Sequence, residues 1–284
     1  ARRCCESLIS YILINMKFTE GKGDTKLLLK KSKRDDVMSD KIPTESGVPN
    51  IPSFIYIVGR PGSGKSLMLE SLMSEQYKIG PGKSTCFDRI YYFCPKTSQG
   101  SYEDSFIKDL DTERIFHDLS YESLSGVIEE IEELNPEDGL DRWGRPVPPK
   151  YTCLIFDDMI TELKAKPVRP LISKIGKNFR HLRLMIIIIS QNYILLDKPT
   201  RDNVSHLIQF NTTNIKEIER LNLEFFGEFN RLEFSDFWNF IHDKPYQFVI
   251  ANRREDSYHK TFNPISYVKP SINDDEEKSE ENSD

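Results

Sequence analysis

The sequence predicts an α/β fold: a mostly parallel central sheet flanked by helices on both faces. Three observations lead there. Short apolar runs alternate with helical patterns, one run (Leu184 to Ile189, LMIIII) is apolar throughout, and two runs end at their C-terminal side in a glycine-rich turn and an acidic pair. Strands alternating with helices build parallel sheets. An uninterrupted β-branched run suits a strand covered on both faces, at the sheet's centre.

Taken in order, Ile51 to Val58 (IPSFIYIV) reads as a buried strand ending at Gly59. Ser66 to Gln76 follows with helical spacing of Leu67, Leu69, Leu72 and Met73. Arg89 to Cys94 (RIYYFC) is a second strand, closed by Pro95. Helical patterns with acidic faces come near 101–110 and from Tyr121 to Leu134. Residues 135–150, dense in Pro, Gly and charge, mark an exposed loop. Tyr151 to Phe156 is a strand leading into Asp157-Asp158, and 162–179 a helix broken or started near Pro167 and Pro170. After LMIIII, His206 to Phe210 and Tyr246 to Ala251 read as strands, with a helix from Asn214 to Phe226 between them.

At 284 residues the chain is long enough for one such domain with extra tails. Residues 51–268 are expected to form the domain, 1–50 an N-terminal arm expected to be mobile, with a strand or a DNA-contacting arm as the alternative, and 269–284 an acidic tail expected to be disordered. The arm carries a basic run from Lys26 to Arg34, and residues 1–15 precede the first methionine, Met16, as upstream translation or a terminus. The net charge of −6 is local, because residues 273–284 hold seven acids and one lysine. A body that is formally neutral neither requires nor excludes a nucleic-acid partner.

Five scattered cysteines, Cys4, Cys5, Cys86, Cys94 and Cys153, argue against a disulfide framework and for a reducing compartment. No paired spacing supports a zinc site, and Cys153 reads as a small buried residue. No apolar run approaches the length of a bilayer span, so no integral membrane association is expected.

The chemistry sits at three strand ends. Gly59-Arg60-Pro61-Gly62-Ser63-Gly64-Lys65-Ser66 matches the phosphate-binding pattern G-x-x-x-x-G-K-[ST], between an apolar strand and an amphipathic helix. Backbone amides must wrap a phosphate closely there, so side chains must be absent at the tight points. These eight residues and Leu67 are the expected nucleotide-binding set. Lys65 is expected to reach the β- and γ-phosphates of ATP, and the Ser66 hydroxyl to ligate Mg²⁺. Second, Leu154-Ile155-Phe156-Asp157-Asp158 delivers two carboxylates to the C-terminal end of a strand, where parallel sheets bind ligands. Asp157 suits Mg²⁺, and Asp158 the role of general base towards water. Third, Ser190-Gln191 ends the LMIIII strand, which puts the Gln191 amide beside the γ-phosphate to sense it or orient water. P-loop motors also need an arginine on the transferring phosphate. Arg180, Arg183 and Arg201 are candidates, with Arg180 favoured. A look-alike of a transporter signature at Leu124-Ser125-Gly126-Val127 lacks its further glycine and glutamine, and no guanine-reading N-K-x-D sequence follows.

With these residues in view, the chain resembles the packaging ATPases of large and mid-sized DNA viruses, the poxvirus-type branch of the FtsK–HerA P-loop superfamily. The resemblance covers roughly Ile51 to Asn252 and rests on Gly59–Ser66, RIYYFCP, LIFDDM and RHLRLMIIIISQN. It implies a homo-oligomeric ring that drives double-stranded DNA into a preformed capsid, with capsid or portal-type partners, in the host cell cytoplasm, a viral factory or the virion. It also implies Lys65 and Ser66 at the triphosphate and Mg²⁺, Asp157 and Asp158 as the acidic pair, and Gln191 as the strand-end sensor. It does not fix the arginine and has no counterpart for the arm. In the 135–150 loop, Arg142, Trp143 and Arg145 are candidates to face a DNA channel, an ordinary exposed insertion being the plainer reading. Three other readings stand beside it: a cellular or plasmid DNA pump of the same superfamily, a P-loop small-molecule kinase, and a capsid component that binds ATP without turning it over.

Overall fold

The computed structural model describes residues 17–21, 47–77, 85–96, 105–136, 140–141, 143–145, 148 and 150–268. Ten strands lie in one sheet: β1 (Lys17–Glu20), β2 (Phe54–Val58), β3 (Arg89–Phe93), β4 (Ile115–Phe116), β5 (Thr152–Asp157), β6 (Leu184–Ser190), β7 (His206–Phe210), β8 (Phe248–Asn252), β9 (Ser257–Lys260) and β10 (Asn263–Val268). Their order across it is β1-β10-β9-β8-β7-β2-β6-β5-β3-β4. The six strands from β7 to β4 run parallel, and the other four join antiparallel at the β7 side.

The apolar run LMIIII becomes β6, buried at every residue. Its period of two sends alternate side chains to opposite faces. Leu184, Ile186 and Ile188 join one core with α2 (Tyr121–Leu134), α4 (Arg169–Asn178), α6 (Ile215–Phe225) and α7 (Arg231–Ile241). Met185, Ile187 and Ile189 join the other, under α1 (Lys65–Ser71). Met68 and Leu69 of α1, with Leu72 and Met73 beyond it, are the anchors on that face. Each such buried side chain stabilises by roughly 1.5–3 kcal/mol.

Several elements differ from expectation. The helix that follows the phosphate loop is α-helical only to Ser71 and continues as a π turn over Leu72–Gln76. Leu67, expected on its buried stripe, is exposed. The pattern near 101–110 is a 3₁₀ turn at Phe106–Asp109, residues 101–104 lying outside the described residues. The 162–179 helix is two pieces, α3 (Ile160–Leu163) and α4, with Pro170 in the first turn of α4 where its missing N–H costs nothing. Within the expected mobile arm, Lys17–Glu20 is a strand paired with β10. Cys4, Cys5, the basic run from Lys26 to Arg34 and the acidic tail lie outside the described residues. Cys153 is buried, as expected. Beyond Arg169, α5 (Lys198–Arg201) and α7 were not expected, nor were β9 and β10.

Among the described residues no helix is long and apolar enough to cross a membrane, and no group of three or more His, Cys, Asp or Glu is placed to hold a metal ion.

Candidate functional site

The register of three neighbouring strands sets the site. Val58 at the end of β2 pairs with Ser190 of β6, and Asp157 at the end of β5 pairs with Ile189. The phosphate-loop strand and the acidic strand are therefore not neighbours. Strand β6 lies between them and brings Ser190-Gln191 into the gap.

The loop itself is shaped for close approach of a ligand to backbone. Gly64 sits at φ 102°, a conformation that strains any side chain. A Cβ on Gly59 would meet Ser63 Oγ at 2.4 Å and Phe210 Cβ at 2.8 Å, so the loop tolerates no side chain there. The Gly59 amide donates to the Ser190 carbonyl at 3.1 Å, tying the loop to β6. Lys65 Nζ donates to the carbonyls of Gly59, 2.5 Å away, and Arg60, 3.1 Å away. Burial holds the Lys65 ammonium below its ordinary pKa, while Asp158 and Asp157 pull it back up. Arg60 and Pro61 are exposed on the loop's outer side, as are Ser66 and Leu67 at the first turn of α1. Buried Ser63 Oγ finds no partner within the chain. A loop with an orphaned hydroxyl, a glycine at φ 102° and no room for a side chain at Gly59 fits close approach of a phosphate group to its backbone.

The two carboxylates differ. Asp157 is buried at the end of β5, and its Oδ2 accepts from Tyr92 Oη at 2.8 Å across the β3–β5 pairing. Asp158 turns out of the strand at φ 58°, which aspartate adopts more readily than most side chains. It is exposed, and both its carboxylate oxygens accept from Gln191 Nε2, at 3.2 and 3.4 Å. Hard oxygen donors of the kind Mg²⁺ prefers are thus present in Asp157 and in Ser66. The sequence offered no sign of Tyr92 as a partner, since only strand order shows that β3 and β5 are adjacent. Glu217 was equally hidden. From α6 its buried carboxylate accepts from the Tyr193 amide and the Thr212 hydroxyl, both at 2.6 Å, fixing the turn that follows Gln191.

The arginines are not brought to this cluster. Arg180 and Arg183 precede β6, at the end opposite Gln191, and the seven-residue strand between spans roughly 20 Å. Arg180 is exposed, with its guanidinium 5.7 Å from the Phe179 ring centroid. Arg201 is buried and committed to structure. Its Nε and Nη2 donate to the Glu224 carboxylate at 2.9 and 2.8 Å, and Nη1 donates to the Leu196 carbonyl. In the 135–150 loop Trp143 is exposed, with Arg145 over its ring at 4.8 Å and paired with Asp141, while Arg142 lies outside the described residues.

Fold and site together define a P-loop NTPase fold, mostly parallel and with the three polar strand ends gathered at one edge. The family model described as "Poxvirus A32 protein" matches residues 50–225, more than half of the chain. The chain belongs to that family. No curated protein sequence matches it. Among solved structures, the genome packaging NTPase B204 from Sulfolobus turreted icosahedral virus 2 in complex with AMPPCP is 19% identical over 77% of this chain and 98% of that one, at TM-score 0.49. Its complex with AMP gives 16% identity, 78% and 98% coverage and a TM-score of 0.46. The cytoplasmic domain of the Thermomonospora curvata type VII secretion ATPase EccC is 16% identical over 79% of this chain and 26% of that one, at TM-score 0.51. That last likeness speaks for the fold.

Proposed function

We propose that this chain is an ATPase that drives double-stranded DNA into a viral capsid. It works as a homo-oligomeric ring with capsid or portal-type partners, in the host cytoplasm or a viral factory. One observation carries the hydrolytic part: insertion of β6 between β2 and β5 sets Lys65, Asp157, Asp158 and Gln191 at one edge of the sheet. Family membership, together with the packaging role that the sequence resemblance implies, supports the DNA part.

In this reading the backbone of Gly59 to Leu67 wraps the phosphates of ATP, and Lys65 Nζ donates to their oxygens. Ser66 and Asp157 would hold Mg²⁺, which supplies positive charge against the phosphates when bound. The Tyr92 hydroxyl keeps the Asp157 carboxylate oriented. Asp158 takes the proton from the attacking water, and Gln191, already bonded to Asp158, orients that water. Arg180, remote from its own loop, serves the nucleotide of a neighbouring copy.

The test is ATP turnover by the purified protein with and without double-stranded DNA, beside Lys65→Ala and Asp158→Asn. Turnover stimulated by DNA and lost in both variants is expected. Turnover indifferent to DNA removes the motor. Transfer of phosphate to a small acceptor favours a kinase instead.

A further inference from the structure

Tyr246 is an exposed aromatic in a strained backbone, placed against the phosphate loop. Its φ of 63° lies in the left-handed region that bulky side chains avoid, and its residue exposure is 73%. A Cβ built on Gly64 would lie 3.8 Å from Tyr246 Cδ1 and 3.6 Å from Phe210 Cε1. The topology explains this placement. Strand β8 runs antiparallel to β7 and pairs Phe248 with Phe210, so the segment entering β8 arrives at the phosphate-loop end of the sheet. Segments entering the parallel strands arrive at the far end. The segment is also braced. The His242 ring packs on Trp238 at 4.4 Å, its Nδ1 lies 3.2 Å from the Gln247 carbonyl, and Asp243 pairs with Lys260 at 3.0 Å.

Strained, solvent-facing conformations persist only where surrounding structure enforces them, and they cluster at ligand sites. The nucleotide's polarity says which part would meet this ring. Asp157, Asp158 and Gln191 lie on the β6–β5 flank of β2 and mark the terminal-phosphate end. Strands β7 and β8 form the other flank, towards which the base end must point.

We propose that Tyr246 stacks on the nucleobase and supplies base affinity without base selection. The inference rests on the phosphate-loop reading above. Every base presents a π face, so a stacking ring with no edge contacts holds purines alike.

The experiment is calorimetric binding of ADP, GDP and inorganic tripolyphosphate, each with Mg²⁺, to the full chain and to Tyr246→Ala, Tyr246→Phe and Tyr246→Trp. Tyr246→Ala is expected to weaken ADP and GDP alike, by roughly tenfold, and to leave tripolyphosphate unchanged. The Phe and Trp variants keep wild-type affinity, and in Tyr246→Trp the new indole emission is quenched by ADP but not by tripolyphosphate. Unchanged ADP affinity in Tyr246→Ala overturns the stacking role, as does an equal loss for ADP and tripolyphosphate. If the wild type binds tripolyphosphate the phosphate loop stands whatever becomes of Tyr246. If it binds none of the three probes, the phosphate-loop reading fails and takes this inference with it.

Discussion

At the scale of single residues, Gly59 is the position where the loop has no slack. A methyl there meets both Ser63 Oγ and Phe210 Cβ inside contact distance, and Phe210 is a buried strand residue that cannot retreat. Gly59→Ala should therefore weaken ADP binding by roughly tenfold or more in Kd while circular dichroism stays native; wild-type affinity would show that the loop can accommodate a side chain there. His206 makes a different prediction. Buried beside Ser205 and near Arg254 and His259, its imidazole has a pKa pushed from 6.5 down to about 3, chiefly by burial. The folded protein holds it neutral, whereas the unfolded chain protonates it below 6.5. Its contribution is thus intact above pH 6.5 and is lost as pH falls towards 3, at up to about 1.4 kcal/mol per pH unit. Urea denaturation at pH 7 and pH 5 should show a smaller drop in stability for His206→Asn than for wild type.

At the scale of elements, the Arg201–Glu224 pair joins α5 to α6, and Tyr193 Oη adds a further donor to Glu224 at 2.6 Å. Both side chains are under a tenth exposed. Removing one partner leaves a buried charge unpaired, which typically costs about 3–5 kcal/mol. Glu224→Ala should lower stability by roughly 3 kcal/mol, measured in urea, while turnover per folded molecule stays near wild type. A stability loss under 1 kcal/mol would show that the pair is dispensable. The β1–β10 pairing sits at the sheet's edge, where it covers backbone groups of β10. Deleting residues 1–21 should lower Tm by a few degrees and increase self-association on light scattering.

At the scale of the whole molecule, contact with DNA is expected to be electrostatic and independent of sequence. Stimulation of turnover should therefore be the same for unrelated duplexes and should fall steeply between 50 and 200 mM salt. A steady response across that range would point away from phosphate contacts. Because residues 273–284 account for the whole net charge of −6, removing them leaves a formally neutral body. Such a body should be less soluble near neutral pH, with ATP turnover unaltered.

How much of this was legible in the sequence depends on the range of the interaction involved. The phosphate loop, the Asp157-Asp158 strand end and β6 are local in origin: a glycine spacing and apolar runs of the right length suffice to read them. Helix α7 carries local signals too, since Phe234, Phe237, Trp238 and Ile241 recur at helical spacing behind Asn230 and Glu233. It is held by tertiary packing and an Asn230–Glu233 capping box. Strand β9 escaped because its four residues SYHK are polar yet largely buried, and β10 because it begins Asn-Pro and is only half-buried, so no clean period marks either. Contacts between strands distant in sequence belong to tertiary structure alone. Nothing in the chain's order says that β6 separates β2 from β5, that Tyr92 reaches Asp157, or that the antiparallel β8 carries Tyr246 to the phosphate loop. The same order leaves Arg180 beside β6 in sequence, and only the strand's length and direction place it at the far edge of the sheet. Sequence by itself determined which side chains were available for phosphate chemistry, because that chemistry demands particular residue types at short spacing. Folding decided which of them meet, because strand order depends on burying both faces of one sheet at once.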